Sequence, residues 1–391
     1  MHILLVDYYG ICDHDGKVMG HTVKALYEYS SMLRCRDSQE DAKKDTFTVD
    51  AALSPCIAKA VSADSRFERI FGKIIKLPED IRETEGYGIR KRILDKFRLF
   101  RNLRQVYKIC AEYDAVWFYR TDFFLFLYMM LHRKPKRCRL AVLVYQQVFT
   151  GGKAEKILQA VYRKALKKTD IVICSNANHV EGMKETMRSL NPSAAVFYMP
   201  DFTYDPEVYR PYLSDDRKKE DKMVCVGTMN PYKQLEEMVD VYRRNGKRLE
   251  AAGRFFDHAR AEKLAGLLED GERERIRIRD CNLSEEEYLQ LLGSARYAIL
   301  PYDMAQYQSR TSGVLQECIF LDTIPVAPRQ LLEENKMPGA AYDNIRELET
   351  PAFFEQLDLK AITLQMAEIR KKFDRKHVAG KLQDLFCEYK G

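Results

Sequence analysis

The chain has 391 residues, 46% hydrophobic and 31% charged, with a formal net charge of +6. That length exceeds one ordinary core and suits two domains of roughly 150–200 residues, and the composition excludes a disordered chain. The charge is uneven: residues 1–205 carry a net +9 and residues 206–391 a net −3, so the first half is the one expected to face something anionic.

The opening MHILLVDYYG lacks a basic leader and a small-residue cleavage site, and reads as a first strand, Ile3–Val6, not a signal peptide. A helical pattern follows near 21–33, then a polar surface loop over 36–45. Further helices are predicted near 90–112, 122–132, 153–168 and 177–189, alternating with strands Ala115–Tyr119, Leu140–Tyr145, Ile171–Cys174 and Ala195–Tyr198. Phe123–Leu131 (FFLFLYMML) is the longest apolar run. It falls well short of the ~20 residues that span a bilayer and reads as a buried helix.

Residues 199–222 (MPDFTYDPEVYRPYLSDDRKKEDK) combine prolines with a charge run and no sustained period, which marks a linker. The expected domains are therefore 1–205 and 206–371, with the helix from about 372 to 391 packing back on the first. Alternation resumes with strand Met223–Val226, helix Tyr232–Tyr242, strand Arg248–Ala252 and helix 257–269. Strands Arg275–Ile278 and Tyr297–Leu300 flank a helix over 284–293, where LSEEE makes Ser284 the N-cap. A helix near 312–320, strand Ile324–Ala327 and a charged helical tail over 353–389 complete the pattern. Strand–helix alternation of this kind builds parallel sheets, so the fold class is α/β. None of the ten cysteines is spaced as CxxC, and most lie in apolar segments. Reduced, buried thiols in a cytosolic protein are expected, with no metal.

Ligands of parallel sheets bind at the carboxyl ends of the strands, and three such ends in the second half carry suggestive residues. GTMNPYKQLEE (227–237) places Gly227 in a turn and Lys233 at a helix start. AAGRFFD (251–257) places Arg254 after Gly253. SRTSGVLQEC (309–318) is a polar glycine loop entering a helix, with Ser312, Gly313 and Val314 at its start and Glu317 about one turn on. Lysine and arginine at adjacent strand ends neutralise a diphosphate, helix-start N–H groups bind the same phosphates, and a carboxylate accepts ribose hydroxyls. Taken singly, Lys233 and Arg254 are solvated cations and Ser312 is a helix cap. Glu317, in the apolar run VLQECIFL, needs a partner.

The order of these loops resembles the donor domain of GT-B glycosyltransferases of the group-1 (GT4) type. The matching residues are Gly227 with Lys233, Ala252-Gly253-Arg254, Gly313 with Glu317, and Asp322-Thr323-Ile324-Pro325-Val326; MPDFTYDPEVYRP resembles the family's interdomain turn. The resemblance implies two Rossmann-like domains facing each other across a cleft. It also implies a UDP- or GDP-sugar as donor substrate, with no further cofactor, and assigns Glu317 to the ribose. Two positions depart from the pattern. The family's arginine after the first glycine is Thr228 here, which leaves Arg254 to supply the second cation. The first glutamate of E-x7-E falls on Ser309, which leaves the sugar and the stereochemical outcome open.

On the acceptor side, loop 8–21 (YYGICDHDGKVMGH) follows the first strand; Asp13 or His14 reads either as a solvated loop residue or as the general base an inverting reaction would need. Gln146 and Gln147 stand where retaining relatives keep a histidine near the sugar. A retaining reaction, the favoured expectation, relies on electrostatic stabilisation of the leaving diphosphate. The stretch 90–108 (RKRILDKFRLFRNLRQVYK) has eight basic residues and one acid. It reads either as a core-packed helix with a solvated face or as a contact for anionic lipid headgroups. The second suits a lipid-linked glycan or polysaccharide acceptor and a peripheral place at the inner face of the plasma membrane. A nucleotide-sugar epimerase on the same fold would require more converging acids and histidines. Nucleic acid is not an expected partner, since no RNP, helix-turn-helix or zinc signature occurs. The absence of G-x-G-x-x-G after any strand argues against a dinucleotide dehydrogenase.

Overall fold

The computed structural model describes residues 1–12, 18, 22–34, 47–82, 89–144, 153–213, 219–307 and 310–388. The chain divides into two compact units, Met1–Pro200 with Arg375–Gly391, and Asp201–Asp374.

The first unit runs β1 (His2–Asp7), β2 (Ile11–Cys12), α1 (Thr22–Arg34), β3 (Thr48–Leu53), α2 (Pro55–Ser62), β4 (Ile74–Lys76) and β5 (Ile81–Arg82). It continues with α3 (Ile89–Ile109), β6 (Ala115–Phe118), α4 (Phe123–Leu131), β7 (Arg139–Val144), α5 (Lys153–Leu166), β8 (Ile171–Cys174), α6 (His179–Leu190) and β9 (Ala195–Tyr198). Seven strands form one parallel sheet in the order β4-β3-β1-β6-β7-β8-β9, while β2 and β5 pair beside it. Strands covered on both faces read as continuous apolar runs, and β1 shows why. Ile3 and Leu5 enter one core with Leu26, Met32 and Ile57 of α1 and α2. Leu4 and Val6 enter the other with Leu99, Leu125, Ala165 and Met183 of α3 to α6.

The C-terminal helix, Arg375–Glu388, belongs to this unit. Val378, Leu382 and Phe386 fill the α1 side of the sheet, Arg375 pairs with Glu28 at 3.5 Å, and Gln383 donates to the Met32 carbonyl at 2.9 Å. The unit boundary at Pro200 falls inside the proline-containing segment read as a linker.

The second unit runs α7 (Pro206–Tyr209), β10 (Glu220–Val226), α8 (Leu235–Asn245), β11 (Arg248–Gly253), α9 (His258–Gly266), α10 (Asp270–Arg273), β12 (Ile276–Asp280) and α11 (Glu285–Ser294). There follow β13 (Ala295–Ile299), α12 (Met304–Tyr307), α13 (Gly313–Phe320), β14 (Ile324–Pro328), α14 (Arg329–Asn335), β15 (Ala340–Tyr342), α15 (Pro351–Glu355) and α16 (Leu359–Lys372). Its six strands are parallel in the order β12-β11-β10-β13-β14-β15. Ser284 caps α11 with a reciprocal bond from Glu287, as LSEEE predicts. The ends of the unit meet where the Tyr204 N–H donates to the Phe373 carbonyl at 2.7 Å.

The described cysteines are free thiols. Cys12, Cys56 and Asp80, far apart in sequence, bring one potential ligand atom each within 4.8 Å of the others. Burial and the Asp80 carboxylate push the Cys56 thiol well above its ordinary pKa. Among the described residues no helix is long and apolar enough to cross a membrane.

Candidate functional site

In the second unit the chain steps from β10 outward to β11 and β12, then returns to β13 on the other side of β10. Ligands of open α/β sheets bind where the strand order reverses in this way, at the carboxyl ends. The three loops singled out from sequence converge there. Gly227 follows β10 with φ +85°, a left-handed conformation that favours glycine. At Gly253, which ends β11, a Cβ would stand 1.9 Å from the Gly227 carbonyl oxygen, so the two turns pass too closely for any side chain. Val314, in the first turn of α13, puts its Cγ2 3.5 Å from where a Cβ on Gly227 would lie.

Lys233 is 4% exposed. Its Nζ donates to the Val226 carbonyl at 3.0 Å and lies 3.8 Å from the Met229 sulfur and 5.8 Å from the centre of the Tyr302 ring. No carboxylate is paired with it among the described residues. A buried cation ordinarily has a counter-charge; this one has a carbonyl, a thioether and a ring face.

The turn carrying Lys233 is held on both sides. The Asn230 side chain accepts from the Tyr232 N–H at 3.1 Å, Gln234 N–H donates to the Pro301 carbonyl at 2.7 Å, and Asp303 N–H to the Tyr232 carbonyl at 2.7 Å. Arg260 of α9 donates to the carbonyls of Lys233 (3.0 Å) and Asn230 (3.3 Å) while paired with Glu236. Arg260 holds the Glu236 carboxyl below its usual pKa, and Glu236 in turn raises that of Arg260. This clamp was not legible in the sequence, because α9 comes one strand later.

Arg254 is exposed, and its carbonyl accepts from Met229 N–H at 2.9 Å. It stands near Asp280. Burial opposes ionisation of that carboxyl, but hydrogen bonds from His258 and the Phe255 N–H, with the charges of His258 and Arg254, hold its pKa below the usual value. Ser312 caps α13 by accepting from Leu315 N–H at 3.3 Å. Gly313 is required by contact, since a Cβ would stand 2.4 Å from the Phe202 ring. The N–H groups of the first turn of α13 are those that helix geometry leaves without an intrahelical acceptor. Glu317 is 2% exposed, and its Oε2 accepts from the Tyr288 hydroxyl of α11 at 2.7 Å. Burial first, then the Glu317 charge, push the Tyr288 hydroxyl well above its ordinary pKa.

Arg310 sits over the rings of Tyr232 (4.8 Å) and Tyr307 (5.6 Å), and Tyr307 stacks on Tyr302 at 3.9 Å. These aromatics come from two loops 70 residues apart and are a part of the site that sequence spacing did not show. Asp13, His14, Gln146, Gln147 and Ser309 lie outside the described residues. In the first unit the carboxyl ends of β1 and β6, where that sheet reverses, carry a different cluster. Asp7, fully buried, accepts from the Tyr119 hydroxyl at 2.5 Å and lies 3.7 Å from Arg120.

No protein-family model and no curated protein sequence matches the chain. Solved structures do match in fold. Anabaena HepE in complex with UDP aligns over 99% of this chain and 100% of its own, with TM-score 0.67 and 12% identity. A glycosyltransferase from Rickettsia africae aligns over 99% and 98%, with TM-score 0.61 and 12% identity. An E. coli trehalose-6-phosphate protein bound with UDP-2-fluoro glucose aligns over 99% of both chains, with TM-score 0.61 and 10% identity. The fold is GT-B. In GT-B terms, the second unit is the Rossmann-like half in which Lys233, the glycine turns and the start of α13 come together.

Proposed function

We propose that the protein is a glycosyltransferase that moves a sugar from a UDP- or GDP-sugar to a lipid-linked glycan or polysaccharide, with retention of configuration. The observation that carries this is Lys233, a buried ammonium with no described carboxylate partner, standing beside two glycine turns and a helix start. A diphosphate supplies the missing negative charge. In this reading it lies against the backbone of Gly227 and the first N–H groups of α13, at Gly313 and Val314, with Ser312 holding the helix start in place. Lys233 and Arg254 bear on its phosphates, and Glu317, oriented by Tyr288, reaches the ribose. As the bond from the sugar's anomeric carbon to the diphosphate oxygen breaks, negative charge grows on that oxygen, and preorganised cations and N–H groups lower the barrier. The acceptor hydroxyl forms the new bond on the face that the diphosphate leaves, and its proton passes to the departing diphosphate oxygen.

The GT-B structures similar to this chain support the donor class: HepE was determined with UDP and with UDP-glucose, and the E. coli protein with UDP-2-fluoro glucose. The basic first half supports a peripheral place at an anionic membrane through residues 90–108. A thermal-shift panel of UDP, GDP and ADP tests the donor. A nucleotide present at 100 times its Kd stabilises the folded protein by about 2.7 kcal/mol, so UDP or GDP is expected to raise the melting temperature. No shift with any of the three overturns the proposal.

A further inference from the structure

Cys12, Cys56 and Asp80, which no spacing in the sequence links, meet beyond the carboxyl ends of β1 and β3. Cys12 ends β2, which pairs in parallel with β5, Ile11 opposite Ile81 and Cys12 opposite Arg82. Cys56 lies in the first turn of α2, directly after β3. Asp80 immediately precedes β5. Backbone bonds fix these segments to one another. Ser54 N–H donates to the Asp7 carbonyl at 3.1 Å, Leu77 N–H to the Leu53 carbonyl at 2.7 Å, and Ile81 N–H to the Gly10 carbonyl at 3.0 Å. Gly10 permits the approach, since a Cβ there would stand 1.7 Å from Ser54 Oγ and 3.0 Å from Cys56 Sγ.

Both thiols are buried and Asp80 is half-buried. The Cys56 N–H donates to Asp80 Oδ1 at 2.8 Å, the Cys12 thiol donates to the Ile81 carbonyl at 3.8 Å, and Cys56 Sγ lies 3.8 Å from Ser54 Oγ. One donor atom from each of Cys12, Cys56 and Asp80 stands within 4.8 Å of the other two. Zinc bonds of about 2.3 Å to sulfur and about 2.1 Å to oxygen put tetrahedral ligand atoms roughly 3.5–3.8 Å apart. Side-chain shifts of about 1 Å therefore close the set. Among the described residues Asp80 makes no ion pair, so no protein cation competes for its carboxylate.

We propose that Cys12, Cys56 and Asp80 form a structural site for one zinc ion, which pins β2 and β5 to the start of α2. Two thiolates and a carboxylate are a donor set that suits Zn2+ and not Mg2+ or Ca2+. A water entering on the Asp80 side completes four ligands. On binding, Zn2+ displaces both thiol protons to solvent, so the charge of the cluster is the same with and without the ion. The third donor decides against a disulfide as the use of this pair. A carboxylate repels the lone thiolate that disulfide exchange requires, whereas a dication holds all three donors together.

The experiment uses the full chain, reduced and stripped of metal with a chelator, and titrates it with Co2+ as a spectroscopic substitute for Zn2+. One equivalent of Co2+ is expected to give thiolate-to-cobalt charge-transfer absorption with strong tetrahedral d–d bands, to release about two protons, and to be displaced by Zn2+. Cys12→Ser and Cys56→Ser should each weaken the charge-transfer band and lower Zn2+ affinity by more than roughly tenfold, the loss that an outer-shell partner alone can cause. Asp80→Asn keeps an acceptor for the Cys56 N–H, so it should melt like metal-free wild type, retain the charge-transfer band and bind Zn2+ more weakly. Where a serine variant fails to fold, Asp80→Asn decides. Cys281→Ser, at a half-buried thiol outside the cluster, should change nothing. Absence of thiolate–cobalt absorption overturns the site, as does absorption that survives unchanged in both serine variants, or equal Zn2+ affinity in Asp80→Asn and wild type. A Cys12–Cys56 disulfide that forms in air, in a protein that binds no Co2+ when reduced, makes the pair a redox couple and also overturns the site.

Discussion

Lys233→Met separates a lysine that waits for phosphate from one that merely braces a loop. Methionine keeps the length and apolar stem and removes the charge. In the ligand-free protein the ammonium donates to the Val226 carbonyl, worth about 1 kcal/mol net, and more weakly to the Met229 sulfur. Against that stands the cost of burying a charge without a counter-ion, several kcal/mol after relaxation. The substitution removes both terms but leaves the buried Val226 carbonyl without its donor, which costs about 1–3 kcal/mol, so the ligand-free protein is expected to change by no more than about 1–2 kcal/mol, with stabilisation the favoured sign. For a domain of this size each kcal/mol moves the melting temperature by roughly 2–4 °C.

Donor binding should respond quite differently. A charge-assisted hydrogen bond to a diphosphate is worth about 1.5–3 kcal/mol, which is roughly a 10- to 150-fold loss of affinity. Calorimetric titration of the preferred nucleoside diphosphate and a thermal melt, on the same preparations, read the two quantities. A melting temperature lowered by more than about 8 °C with unchanged nucleotide affinity would refute the reasoning. Lys233 would then be a strut of the 227–233 turn.

Glu317→Gln should weaken nucleotide binding about tenfold in calorimetry, whereas Tyr288→Phe, which removes the hydroxyl bonded to that carboxylate, should cost about 1–3 kcal/mol in urea unfolding with little change in affinity. Equal affinity in Glu317→Gln and wild type removes Glu317 from the donor site. Gly253→Ala forces a Cβ to within 1.9 Å of the Gly227 oxygen, so urea midpoints should report a loss of about 1–3 kcal/mol or more, with donor binding lost alongside; a neutral result means the two turns are not in contact. Burial holds Lys219 at a pKa of about 8, below its unfolded value of about 10.4. Between those pH values the unfolded chain holds a proton that the folded one has lost, so stability from this group rises with pH across the window and is flat below it. Wild type should therefore gain on Lys219→Met between pH 8 and 10 in chemical unfolding, and a constant difference would disprove the shift.

The parallel-sheet architecture was legible because its central strands are sealed on both faces and write that into the chain as apolar runs, as in Ile3–Val6 and Ile171–Cys174. Local chemistry was legible too: Ser284 with Glu287 is a self-contained cap. Strand β3 was not, because Asp50 interrupts TVDAAL. The fold accommodates that acid through the Tyr113 hydroxyl at 3.1 Å and the His2 ring at 3.0 Å, partners some fifty residues away on either side. At the site, the position of Lys233 could be read but its burial could not. An isolated lysine at a helix start is ordinarily solvated; here the Tyr302 segment, bridged to it across the sheet, closes over the side chain. The Phe202 ring that dictates Gly313 is likewise more than a hundred residues from it.

Two cations, Lys233 in the turn after β10 and Arg260 reaching it from α9, are treated in opposite ways, and the contrast argues for what the turn does. Arg260 is satisfied several times over, by both oxygens of Glu236 and by the carbonyls of Asn230 and Lys233. Its charge is spent within the protein, and its effect is to fix where the backbone of residue 233 lies. Lys233, placed by that backbone, is given no acid, although Glu236 and Glu237 follow it by three and four residues. Glu236 is drawn instead to Arg260, below its usual pKa. A fold under selection for stability alone would have let lysine and glutamate pair. Keeping them apart leaves a rigidly mounted positive charge with nothing in the described structure to neutralise it. Such a charge raises the free energy of the empty protein and lowers that of the complex, which is the arrangement expected where an anion is bound and then leaves.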